Sequence, residues 1–142
     1  MMALAKEIGD DGAVVENVMN RERDMVQRHW DTANARDWVS FSSLLTSDLL
    51  YEAPLSRERI RGRDGYVDFF RTWPGSWRAV LRQVIAEPGS AVSIIDFVAA
   101  PDEAMTGITI FHFSDGLIAR VTDYWPDPYE PPARQSAHVE RY

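Results

Sequence analysis

The sequence predicts an α+β fold, with three helices from the N-terminal half packed on one face of a bent, largely antiparallel sheet. Apolar residues recur at three- and four-residue spacing from Val14 to Ala33, the period of a helix with one buried face. From Trp77 onward they fall instead into short runs rich in β-branched and aromatic residues, separated by turn residues. Helices first and strands afterwards is the order of an α+β domain.

Each element has its own signal. In the first helix Val15, Val18, Met19, Met25, Val26, Trp30 and Ala33 form the apolar stripe, with Arg21, Arg23, Asp24 and Arg28 between them. Residues 34–37 interrupt it, and Asp37 is a suitable N-cap for a short second helix through Trp38, Phe41, Leu44 and Leu45. Leu49 to Pro54 reads as a strand, and Glu58 to Gly62 as a second. Gly62 to Gly65 opens a third helix with Tyr66, Val67, Phe69, Phe70 and Trp73 on its apolar side, ended by Pro74-Gly75. Four further strands are expected over Trp77–Ala86, Val92–Val98, Met105–Phe113 and Leu117–Trp125. The connections are Glu87-Pro88-Gly89-Ser90, a loop over Ala99–Glu103 and the hairpin turn Ser114-Asp115-Gly116. The expected organisation is a loose arm over 1–13, one domain over 14–126 and a proline-rich strap over 127–142.

Composition narrows the function classes. The chain has 142 residues, enough for one domain, and 45% of them are hydrophobic, so a full core is expected. A net charge of −7 disfavours binding to a nucleic-acid backbone. Arg57, Arg59, Arg61 and Arg63 alternate strictly, which on an extended segment gives either a solvated strand edge or an anion-steering rim. Without cysteine there is no disulfide or thiolate chemistry. Residues 1–8 lack the pattern of a signal peptide, and no apolar run approaches the length that spans a bilayer, so a cytoplasmic protein without membrane contact is expected. His29, His112 and His138 lack metal-ligand spacing, and no phosphate loop, dinucleotide fingerprint or nucleophile elbow occurs, so neither metal nor cofactor is expected.

The stretch Phe111-His112-Phe113-Ser114-Asp115-Gly116-Leu117-Ile118, continued to Asp123-Tyr124-Trp125, resembles the SnoaL-like branch of the nuclear transport factor 2-like superfamily. Residues 30–38, Tyr51-Glu52-Ala53-Pro54 and Arg61-Gly62-Arg63-Asp64 agree with that resemblance in order and spacing. It implies a cone: a curved mixed sheet wrapped by three helices and enclosing a pocket. Relatives include polyketide cyclases, a ketosteroid isomerase and epoxide hydrolases, as well as non-enzymatic binders, so the fold leaves function open. It also implies a homodimer.

Asp123 is the leading candidate for chemistry. An acid in so apolar a strand is a surface group, a buried hydrogen-bonding group or a proton carrier whose pKa the apolar surroundings raise. Strand parity puts Ala119, Val121, Asp123 and Trp125 on one face and Ile118, Arg120, Thr122 and Tyr124 on the other. The first set is the more apolar and is expected to face the interior. The resemblance matches Asp123 to the acid/base aspartate of the cyclases, and Tyr51 to a water-holding tyrosine of limonene epoxide hydrolase. It sets His29 where the isomerase has its oxyanion tyrosine; otherwise His29 is a satisfied, partly buried histidine. Tyr51 and His29 are thus the expected partners of Asp123, and Asp96 its second carboxyl, dividing acid and base roles with it. Ala53 and Thr109 stand where the isomerase has its base and its neutral acid, which argues against that mechanism. Trp30, Trp73, Trp77, Phe111, Phe113 and Trp125, with Thr109, are the expected ligand contacts. Such aromatic walls suit a small, bulky apolar molecule. The expectation is a small-molecule-binding protein, either an acid/base cyclase, isomerase or hydrolase or a non-catalytic binder.

Overall fold

The computed structural model describes residues 2–99 and 103–142, with side chains from Gly12 onward. Most of the loop expected over Ala99–Glu103 and the side chains of most of the expected arm therefore lie outside the described residues. Three helices, α1 (Met2–Asn34), α2 (Trp38–Ser43) and α3 (Arg63–Arg71), accompany six strands. The strands are β1 (Leu45–Ala53), β2 (Glu58–Arg61), β3 (Trp77–Glu87), β4 (Ser90–Ala99), β5 (Glu103–Ser114) and β6 (Leu117–Tyr124). Helix α1 begins ahead of Val14, where the apolar periodicity sets in.

The six strands form one open mixed sheet in the order β2-β1-β6-β5-β4-β3. All neighbours are antiparallel except β1 and β6, which run parallel and join the β1–β2 hairpin to the meander of β3 to β6. Local chemistry sets the junctions. Asp37 caps α2 by accepting from the Ser40 amide. Asp115 and Gly116, both at positive φ, make the β5–β6 turn. Asn34 joins α1 to β3, its side chain donating to the Ala79 carbonyl and accepting from the Ala79 amide, each at 2.8 Å.

The core lies between the helices and the concave face. Val26, Trp30, Phe41, Leu49, Ile95, Phe111 and Val121 are among its fully or almost fully buried members. Inward positions alternate cleanly along β4 as Ala91, Ser93 and Ile95. Two irregularities break the alternation elsewhere. One residue of β3, Arg82, is skipped in the pairing with β4, and Ala119 is skipped in the pairing of β6 with β5. The second corrects the parity expectation. Ile118 is fully buried although it sits an odd number of residues from Asp123, because the bulge at Ala119 shifts the phase between them. Asp123 and Val121 nevertheless face inward, as expected.

Strand β2 is a sheet edge. Only Arg59 and Arg61 of the four alternating arginines belong to it, since Arg57 lies in the turn at positive φ and Arg63 begins α3. Arg59 is ion-paired with Glu52, which also binds Arg120 on the convex face. Residues 126–142 carry no helix or strand and are mostly exposed, tied locally by an Arg141–Glu130 pair.

Candidate active site

A cavity of about 250 Å³ opens on the concave side of the sheet. Its walls are aromatic: Trp30 from α1, Phe69 and Phe70 from α3, Trp73 after α3, Trp77 from β3, Phe97 from β4 and Trp125 after β6. Tyr51, Ala53, Ser56, Glu58, Met105 and Asp123 complete the lining. The rings pack on one another, with Trp77 stacked on Phe97 and Trp125 edge-on to Phe97 at a centroid separation of 5.4 Å in each case. Trp30 is further fixed by its indole N–H, which donates to Ser93 Oγ at 3.1 Å. Four expected ligand contacts, Trp30, Trp73, Trp77 and Trp125, therefore share one cavity with Tyr51 and Asp123.

Asp123 is 4% exposed and accepts three hydrogen bonds. Thr109, directly opposite in the β5–β6 ladder, donates to Oδ1 at 2.8 Å. Tyr51 Oη and Trp125 Nε1 both donate to Oδ2 at 2.9 Å. All three donors are neutral. The lone pairs of Oδ2 are therefore both used, while Oδ1 keeps one. Burial pushes the Asp123 carboxyl above its ordinary range, against the opposing effect of the Thr109, Trp125 and Tyr51 hydrogen bonds. The Tyr51 phenol is pushed far upward, first by burial and then by the Asp123 charge and hydrogen bond. Tyr51 is thus a neutral donor throughout the working pH range. Such a carboxyl can take a proton on Oδ1 and return it, while Tyr51 and Trp125 hold its orientation.

The structure corrects several expected placements. His29 does not reach Asp123. It is fully buried below the cavity, its Nε2 lies 2.7 Å from Tyr66 Oη, and its Nδ1 has no partner. Helical geometry turns it into the core, among Trp30, Phe41, Phe70 and Phe111. Burial lowers its pKa to about 3, so it is neutral. Asp96 cannot pair with Asp123, because its neighbour Ile95 takes the inward position and Asp96 binds Arg82 on the convex face at 2.6 Å. Thr109 holds Asp123 rather than lining the cavity. Phe111 is buried against His29, and Phe113 packs on the core edge past the β5–β6 irregularity, so neither forms a cavity wall.

Sequence reasoning passed over Gly107 and Glu58. A Cβ at Gly107 would lie 2.9 Å from the ring atoms Cη2 and Cζ3 of Trp125 and 3.1 Å from Ile95 Cγ1. The missing side chain is what lets the indole lie across β5 and reach Asp123; a glycine inside a strand is the usual sign of such an approach. Gly107→Ala is expected to displace the indole, lose the Trp125–Asp123 bond and cost about 1–3 kcal/mol. Urea unfolding checks this, and an unchanged midpoint would contradict it. Glu58 pairs directly with Ala53 across the β1–β2 ladder, and so shares its inward side.

The sequence profile of the SnoaL-like domain matches residues 26–121. Among proteins of curated function none matches the sequence. Among solved structures, a Kribbella flavida protein provisionally named a ketosteroid isomerase is 36% identical, with a TM-score of 0.83 over 87% of this chain and 91% of its own. An epoxide hydrolase from M. tuberculosis, described as LEH-like, is 18% identical, with a TM-score of 0.66 over 76% of this chain and 84% of its own. A Methylobium petroleophilum protein described by its cystatin-like fold is 13% identical, with a TM-score of 0.71 over 87% of this chain and 83% of its own. The last two share the fold alone, whereas the profile covers most of the domain: the chain belongs to the SnoaL-like family of nuclear transport factor 2-like folds.

Proposed function

We propose that the cavity binds a small, largely apolar organic molecule and that Asp123 moves a proton on it, without metal or cofactor. The observation that supports this most is the buried Asp123 carboxyl, which lines an aromatic cavity, has only neutral donors and keeps one lone pair free on Oδ1. Cyclisation, isomerisation and hydrolysis by acid/base steps all need such a group. The isomerase suggested by the name of the Kribbella flavida relative is the weakest of these. Ala53 brings no base to the cavity, and Thr109 is occupied by Asp123. The same apolar Ala53 favours, as a second reading, a binder without turnover. Both readings expect bulky apolar compounds to raise the thermal transition by binding the folded state. A transition moved only by sugars or nucleotides would contradict them.

The convex face supports a homodimer. Ile85 and Val98 are exposed there, and Val92, Ile94, Ile108 and Ile110 are only part-buried. An uncovered apolar face of this kind favours a second copy. Light scattering at micromolar concentration is expected to show twice the 16.2 kDa of the chain; a species of single mass would contradict it.

A further inference from the structure

The charged lining of the cavity has one sign. Asp123 and Glu58 are its acidic members, and no arginine, lysine or histidine side chain lines it. Of the nearby cations, Arg57 lines the groove on the other side of the β1–β2 edge and not this cavity, and Arg36, Arg59 and Arg120 are engaged elsewhere. Arg36 lies over the Trp77 ring at 3.8 Å from the centroid and donates to the carbonyls of Ala33 and Trp77. Arg59 and Arg120 bind Glu52 on the convex face. Glu58 has no hydrogen bond or ion pair among the described residues, and Asp123 has neutral donors only. An anionic ligand would meet two carboxyls and no cation in the lining. A cation would complete both, and the ring faces around it would add cation–π attraction, which strengthens as water is excluded.

We infer that the molecule this cavity takes is an organic cation, an aromatic or alicyclic amine in its protonated form. Its nitrogen sits between Asp123 and Glu58, an N–H fills the free lone pair on Asp123 Oδ1, and its hydrocarbon lies against the indole and phenyl walls. The volume of about 250 Å³ sets a small ligand. This inference rests on the reading of the cavity as a small-molecule site, and it names the charge of the molecule bound there.

The test compares three probes by calorimetry at neutral pH. Protonated benzyldimethylamine is the cation, isobutylbenzene its uncharged isostere and phenylacetate an anion of similar size. The cation is expected to bind at least about tenfold more tightly than the isostere, with phenylacetate weakest. Glu58→Gln, at an exposed residue without internal partners, is expected to fold normally. It should weaken the cation several-fold and leave isobutylbenzene unchanged. Equal binding of cation and isostere would overturn the inference while leaving the apolar-ligand reading intact. Binding of no probe by the wild type at millimolar concentration would overturn both. A cation preference untouched by Glu58→Gln would overturn the two-carboxylate placement.

Discussion

Asp123→Asn is expected to lower turnover by about 10²–10⁴-fold, the usual contribution of one positioned acid/base group. It should leave the fold intact. Asparagine is nearly isosteric, its carbonyl oxygen can accept from Tyr51 and Trp125, and its amide can donate to Thr109 Oγ1. The buried charge is lost while every hydrogen bond has a counterpart, so the unfolding midpoint should stay or rise. Steady-state kinetics on whichever epoxide or aldol-type substrate the wild type turns over, with unfolding curves of both proteins, checks this. Full activity in the Asn variant would exclude Asp123 as the proton carrier and favour the binding reading. Loss of activity together with loss of fold would show a structural carboxyl instead.

The second large effect is loss of stability in mild acid through His29. Its ring is buried among Phe41, Phe70 and Phe111, with Tyr66 as its one hydrogen-bond partner. Its pKa falls from 6.5 to about 3 on folding, because burial disfavours the imidazolium. Between those values the unfolded chain binds the extra proton, so stability is complete above 6.5 and is lost as the pH falls below it. The contribution amounts to about 2 kcal/mol between pH 7 and pH 5 and approaches about 5 kcal/mol at the acid limit. Asp123 acts in the opposite sense. Its folded pKa is raised, so the folded chain takes up that proton first and part of the loss is offset. Urea unfolding at the two pH values, with the His29 ring followed by NMR, measures the effect. Equal stability at both, with the native ring titrating near 6.5, would contradict it.

The fold was legible where local chemistry decides it. Asp37 as a cap, Asp115-Gly116 as a turn and Pro74-Gly75 after α3 each act within a few residues of the elements they bound; the junction of α2 and β1 is the exception, because α2 ends at Ser43 and Leu45, expected in the helix, opens a strand expected only from Leu49. Strand phase was less legible, because parity assumes an unbroken pleat. The bulge at Ala119 buried Ile118 against that assumption, while Asp123 lies beyond the bulge and kept its side. In β4 both faces carry apolar residues, so the sequence does not say whether Ile95 or Asp96 turns inward; the helices packed on the concave side decide it. The same holds for His29, whose place at the cavity or beneath it depends on how α3 brings Tyr66 against α1. Glu58 needed the register of a hairpin, and the use of Gly107 needed the position of an indole 18 residues away. Both are tertiary facts that spacing along the chain does not contain.

The proposed function turns on Asp123 as a buried carboxyl held ready to exchange a proton inside the cavity. ¹³C-detected NMR titration of its side-chain carboxyl measures this most directly, with Asp123→Asn identifying the signal. A midpoint clearly above the ordinary aspartate value of 3.8 is expected, since burial outweighs the three hydrogen bonds. A midpoint at or below 3.8 would mean that Thr109, Tyr51 and Trp125 stabilise a permanent carboxylate, and that would contradict the role given to it.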